Sequence, residues 1–273
     1  MVAAALVSGC SGSVVADTGR AASSASADPP SSTVQPTATP GPPLSPGLHR
    51  LTVSEQAAVV LVPTTANGRL IVFAHGAEGS AESVLAVGDQ ARADLTAGLV
   101  AAGYTVAASD AGGDAWGNAA SVEDYRALAQ EAAARTGTTS VYLIGESMGG
   151  LPAAQLTQRG RLPGLRAYAG IYPVCDLSSV QARFADSILA ANGTGTAALV
   201  AQLSPVVLDG SVPIMMWASP GDTIVPSAQN AGACVDEARA AGGRAELVST
   251  IGDHGDVSNF DLVALLAFFD SAA

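Results

Sequence analysis

The stretch Val141-Tyr-Leu-Ile-Gly145-Glu146-Ser147-Met148-Gly149-Gly150 decides how the rest of the chain is read. Four apolar or β-branched residues run straight into Gly-x-Ser-x-Gly, and a helix-compatible segment, residues 152–158, follows. A serine on so tight a strand-to-helix turn has a strained backbone, and the turn lifts its hydroxyl clear of the sheet. Side chains at positions 145 and 149 would collide where strand and helix pass close together, so glycine is needed at both. The turn also aims backbone N–H groups at the helix N-terminus, where negative charge is stabilised. In a chain with 30 glycines the five-residue string alone is weak. The strand before it and the helix after it make it specific.

A serine hydroxyl needs a neighbouring base, and the chain has only three histidines, at positions 49, 75 and 254. His254 lies in Gly252-Asp253-His254-Gly255-Asp256, directly after an apolar strand, at the edge where a parallel sheet gathers its ligands. His49 opens the folded region and reads as exposed. His75 ends a strand ahead of the serine, and Gly76 beside it suggests a backbone role. The base in turn needs a carboxylate to hold its tautomer. Asp222, in the turn Pro220-Gly221-Asp222 after a strand, is the first choice, with Asp176 as the competitor. Asp253 and Asp256 are too close in sequence to His254 to reach the far side of its ring.

Outward from this centre, apolar segments alternate with helical ones. Residues 48–53 and 57–63 read as an opening antiparallel pair. Residues 70–74, 104–108, 165–172, 212–218 and 245–251 read as further strands. Helices are expected over 81–102, 122–135 (with Ser121 as N-cap), 227–241 and 259–269. Residues 174–211 are less regular and read as a small cap or lid. This alternation implies a mostly parallel sheet covered by helices on both faces.

Composition limits the chemistry. The formal net charge of −12 argues against nucleic acid and anionic membrane surfaces as partners. Every basic residue is arginine, which excludes a Schiff base, a Ser–Lys dyad and a phosphate loop ending in Gly-Lys. Three scattered histidines make no metal-ligand cluster, and no motif requires a cofactor.

The N-terminal stretch Leu6-Val7-Ser8-Gly9-Cys10 resembles the lipobox of bacterial lipoproteins, which makes Cys10 a lipidation candidate and residues 1–10 a truncated signal-like segment. No positive residues precede it and the apolar run is short, so the natural start is expected upstream. Residues 11–47, rich in Ser, Ala, Thr and Pro, read as a disordered tether. A protein held outside the cytoplasmic membrane, touching it only through a lipid on Cys10, fits both features. In that oxidising setting Cys175 and Cys234 form an even pair, and a disulfide between them is expected.

Taken together, residues 48–273 resemble an α/β-hydrolase fold serine hydrolase. The nucleophile elbow matches Gly145 to Gly149, the acid turn Pro220-Gly221-Asp222, the histidine loop Asp253-His254-Gly255, and the His-Gly motif His75-Gly76. The resemblance implies Ser147 as nucleophile, His254 as base and Asp222 as acid, with the backbone N–H groups of Ala77 and Met148 as oxyanion hole. A single glycine after His75 departs from the Gly-rich oxyanion loop of hormone-sensitive-lipase-like members. The implied substrate is a small ester or acyl compound. A peptidase, thioesterase or acyltransferase using the same residues is the alternative, and a non-catalytic envelope binding protein is a third reading. Glu78 is expected near the site, and Trp116, Met148 and Leu151 are candidates for either pocket lining or packing.

Overall fold

In the computed structural model, residues 40–85 and 89–273 are described. Cys10 and most of the expected tether lie outside them. Among the described residues, eight strands form one sheet in the order β1-β2-β4-β3-β5-β6-β7-β8. β1 (Gly47–Val53) and β2 (Gln56–Val62) pair antiparallel, and β2 meets β4 (Thr105–Ser109) antiparallel. From β4 onward the ladder is parallel, through β3 (Arg69–Ala74), β5 (Ser140–Glu146), β6 (Leu165–Ile171), β7 (Ile214–Ala218) and β8 (Ala245–Ser249).

The central strands are largely apolar because both faces are covered, whereas the edge strands β1 and β8 are partly exposed and carry polar residues. On β3, Leu70, Val72 and Ala74 enter one core while Ile71 and Phe73 enter the other. The first core is closed by α2 (Ala119–Thr136), α3 (Gly150–Leu156) and α7 (Ala233–Ala240), through residues such as Leu128, Leu151 and Val235. The second is closed by α1 (Gln90–Ala101) and α8 (Leu262–Ser271), through Leu95, Leu99, Leu265 and Phe269. Burying two-sided strands in this way is what a parallel sheet requires.

The strand order reverses between β3 and β5, because the chain runs from β3 outward to β4 and then returns to the other side of β3. Ligands of open α/β sheets collect at such a switch point, outside the carboxyl ends of the strands. Gly76 and Ala77 follow β3 there, and Ser147 follows β5. The topology therefore places the two loops side by side before any side chain is considered.

Several boundaries differ from the sequence reading. The N-cap of α2 is Asn118, whose side chain accepts from the Ser121 amide (3.0 Å); the Ser121 hydroxyl instead donates back to the Asn118 carbonyl (2.9 Å). α1 begins only at Gln90, capped by Asp89, after a short 3₁₀ turn at Ala81–Leu85. The helix expected over 227–241 is divided into a π-turn (Ala228–Gly232) and α7. Residues 41–44, read as tether, lie along α2: Arg135 receives the Leu44 amide on its carbonyl (2.9 Å) and donates its Nε–H to the Pro42 carbonyl (2.8 Å), and Glu131 accepts from the Gly41 amide (3.2 Å). Partners for these backbone groups order a proline-rich segment that buries little apolar surface.

Residues 174–211 form three short helices, α4 (Leu177–Gln181), α5 (Ala185–Asn192) and α6 (Thr196–Gln202), whose Leu177, Val180, Ile188 and Leu199 join the first core. Among the described residues no helix is long and apolar enough to cross a membrane.

Candidate active site

Ser147 sits immediately after β5 with φ +50°, in the left-handed region that non-glycine residues rarely occupy. Close packing enforces the turn. A Cβ on Gly149 would lie 2.1 Å from the Ala74 carbonyl oxygen, and one on Gly145 would lie 2.8 Å from the Gly149 carbonyl oxygen. Both contacts are with backbone, which cannot move aside without shifting a strand.

The Ser147 Oγ lies 2.9 Å from His254 Nε2, and His254 Nδ1 lies 2.8 Å from Asp222 Oδ2. A carboxylate is an acceptor only, so it fixes the proton on Nδ1 and leaves Nε2 free to accept from the serine. Asp222 is itself held still: its Oδ1 accepts the amides of Ile224 (2.9 Å) and Val225 (2.8 Å), and its side chain is buried. The three residues form one hydrogen-bonded row at the carboxyl rim of the sheet. Asp176, the competing acid, instead caps α4, accepting from the Ser178 amide (2.9 Å) and hydroxyl (2.6 Å).

The other histidines are occupied elsewhere. His49 Nε2 lies 2.7 Å from the Ser45 carbonyl. His75 is fully buried, with Nδ1 2.7 Å from the Gly76 carbonyl and Nε2 3.0 Å from the Asp110 carbonyl. It thus pins the loop that follows β3. That loop runs close to the serine, since a Cβ on Gly76 would lie 3.3 Å from the Ser147 Cβ. Ala77 comes next and is half-buried, while Met148 is buried just past the serine.

Glu78 is exposed and has φ +61°; its amide donates to Asp114 Oδ1 (2.6 Å). The other oxygen of Asp114 accepts from the Ser187 hydroxyl on α5 (3.1 Å), which in turn accepts from the Trp116 indole N–H (2.8 Å). Trp116 is buried and packs on Phe184 with ring centroids 4.8 Å apart. It therefore joins the loop after β4 to the segment around α5, and Leu151 is likewise wholly buried.

Cys175 and Cys234 form a disulfide with Cα atoms 6.1 Å apart. It joins two sides of the site. The neighbouring Val174 amide donates to the Ser147 carbonyl (2.8 Å), and Cys234 lies on α7, downstream of the acid turn. Asn230, fully buried in the π-turn, reinforces the same junction by accepting the amides of Cys175 and Asp176, both at 3.0 Å.

Sequence reasoning missed three features. Asp253 does not touch the imidazole ring, yet it clips the histidine loop to the acid turn: it accepts from the Thr223 amide (2.8 Å), the Thr223 hydroxyl and the His254 amide (2.8 Å). Those donors, the Thr223 amide foremost, hold its carboxyl below the usual range. Glu146, inside the elbow, is paired in bidentate fashion with Arg92 (2.7 and 2.6 Å). A lone carboxylate at the end of an apolar strand was the available signal, but the partner lies 54 positions away. The third is the aromatic ring of Tyr172, whose centroid lies 4.5 Å from that of His254.

No protein-family model matches the chain, and no curated protein matches it by sequence. Solved structures do. The crystal structure of TT1662 from Thermus thermophilus is similar at TM-score 0.62 and 21% identity, over 82% of this chain and 96% of that one. A Pyrococcus furiosus esterase is similar at TM-score 0.59 and 15% identity, over 82% of this chain and 90% of that one. A puromycin-hydrolyzing peptidase of Mycobacterium tuberculosis is similar at TM-score 0.65 and 21% identity, over 83% of this chain but 39% of that longer one. The sheet order, the serine turn after β5 and these neighbours agree: the chain is built on the α/β-hydrolase fold.

Proposed function

We propose that the chain is a serine hydrolase that cleaves carboxylic esters through an acyl-serine intermediate. The observation that carries this reading is the hydrogen-bonded row Ser147–His254–Asp222 at the switch point of the sheet. Ser147 attacks the ester carbonyl while His254 Nε2 takes its proton. Asp222 keeps the imidazole in the required tautomer and stabilises the imidazolium. The amides of Ala77 and Met148 receive the oxyanion. His254 then gives its proton to the leaving alkoxide, and water repeats the sequence to release the acid.

A second reading, amide cleavage by the same residues, is favoured by the likeness to the puromycin-hydrolyzing peptidase. The reading also places the protein outside the cytoplasm, which the Cys175–Cys234 disulfide supports.

The test pairs a fluorophosphonate probe with ester and aminoacyl-amide substrate panels. The wild-type chain should label once and turn over short p-nitrophenyl esters. Ser147→Ala should keep its melting temperature and lose both labelling and turnover, the latter by about 10⁶-fold. Labelling that survives in the variant would move the nucleophile elsewhere. Turnover of amides but not esters would select the second reading.

A further inference from the structure

The hydrogen bonds at Nδ1 and Nε2 fix two points of the His254 ring but do not by themselves set its tilt about the line joining them. The loop beneath it is exposed to solvent and is held by polar contacts rather than by packing. Gly252 and Gly255, on either side, both have positive φ (+81° and +79°), and Ile251 next to them is 74% exposed. Something has to meet the face of the ring.

Tyr172 does so. Its ring centroid stands 4.5 Å from that of His254 at an interplanar angle of 60°, a tilted aromatic pair within the favourable range. The tyrosine itself is held on three sides. Phe260 meets its ring edge-on at 5.8 Å. Its amide donates to the Trp217 carbonyl (2.8 Å). Its hydroxyl donates to Glu146 Oε1 (2.8 Å), and Glu146 is gripped by Arg92, which also pairs with Asp89 (3.1 Å). Burial, followed by the Glu146 charge, pushes the phenol well above its ordinary range, so it stays a donor. Burial works against the Arg92 charge, but the Glu146 carboxylate outweighs it and the guanidinium stays protonated.

Two further facts separate this arrangement from ordinary core packing. Tyr172 has φ +36°, a backbone state that a non-glycine residue holds only when its surroundings impose it. Its anchor, Glu146, is the residue directly before the serine, so the elbow carries both the hydroxyl and the post that steadies its base.

Building on the proposed acyl-transfer function, we infer that Tyr172 is a positioning residue: its ring, moored through its hydroxyl to the Glu146–Arg92 pair, holds the His254 imidazole in the plane that joins Ser147 to Asp222.

The test uses the full chain labelled with ¹⁵N-histidine, which gives only three imidazoles to assign. In the wild type, His254 should show a single tautomer protonated at Nδ1. Tyr172→Leu should average or broaden those resonances and lower kcat by roughly 10²-fold, the scale of a misaligned reacting group, with KM changed less than about twofold. Tyr172→Phe keeps the ring and loses only the mooring; it should retain the tautomer and lose about fivefold in kcat, the scale of one hydrogen bond.

Wild-type imidazole signals and kcat in Tyr172→Leu would overturn the inference. So would a rise in KM alone, which would make the ring part of the substrate slot. Should Tyr172→Leu fail to fold, Tyr172→Phe and Glu146→Gln carry the test, and unchanged kcat and resonances in both reject it. If the wild type neither labels nor turns over, the hydrolase reading fails, and the His254 tautomer in the variants still decides the inference.

Discussion

The nucleophile elbow and the histidine loop meet at one hydrogen bond, yet they are shaped by opposite means. The elbow is buried and set by sterics: at Gly145 and Gly149 a single added carbon meets backbone below 3 Å. The histidine loop is open, and a Cβ on Gly255 would meet nothing within 4 Å. Its shape comes from side chains that reach back to the main chain. Ser219 Oγ donates to the Gly252 carbonyl (2.6 Å), Asp253 clips Thr223, and Asp256 accepts the Ser258 amide (2.9 Å). Excluded volume fixes the first region and a few polar contacts fix the second. Substitutions should therefore act on stability in the elbow and on alignment in the loop.

The largest effect should come from the partner on which the loop depends. In Asp222→Asn the amide oxygen can keep the Ile224 and Val225 contacts, but an amide N–H would face His254 Nδ1 and force the wrong tautomer. Turnover should fall by about 10⁴-fold with the melting temperature nearly unchanged. A loss under about tenfold would remove Asp222 from the row.

Next is Gly149→Ala, which should cost about 4 kcal/mol in urea unfolding because a strand carbonyl blocks the new methyl. Gly255→Ala should cost only about 1 kcal/mol, the backbone price of a positive φ. Equal costs at the two positions would erase the contrast.

Removing the disulfide tests the junction between the regions. Cys175→Ala with Cys234→Ala should lower stability by about 3 kcal/mol, read by calorimetry. If catalysis per folded molecule also falls, the bridge sets alignment as well as stability.

The smallest effect should be that of Asp253→Ala, a loss of about threefold in kcat from a loosened loop with little change in melting. Because the Asp253 carboxyl is held below its usual range, the clip is intact above that range and is released only as pH falls through the lowered value. Activity lost in milder acid would therefore not arise from this clip.

The same contrast explains what could be read from the sequence. β3 and β5 are legible because two-sided burial makes them continuously apolar, and the elbow is legible because steric coding leaves glycines at fixed spacing. The meeting of Ser147, Asp222 and His254 follows from chain order, since each comes just past a parallel strand and parallel strands share a rim. Polar coding is far less legible. Asn118 displaces Ser121 as the cap of α2 because either side chain can accept an amide and only the local backbone decides. The Glu146–Arg92 pair and the Tyr172–His254 contact, 54 and 82 positions apart, have no spacing rule at all. The π-turn before α7 is marked by the bond from the Gly232 amide to the Ser227 carbonyl five residues back (2.8 Å), a spacing that α-helical periodicity does not encode.

Asp114 has a consequence for how the two segments it touches are ordered. One of its oxygens holds the amide next to Ala77 and the other holds α5 through Ser187. The loop after β3 and α5 are thus latched by a single carboxylate. Loosening that carboxylate would therefore release the start of the loop after β3 and the helix α5 together, so order on one side depends on order on the other.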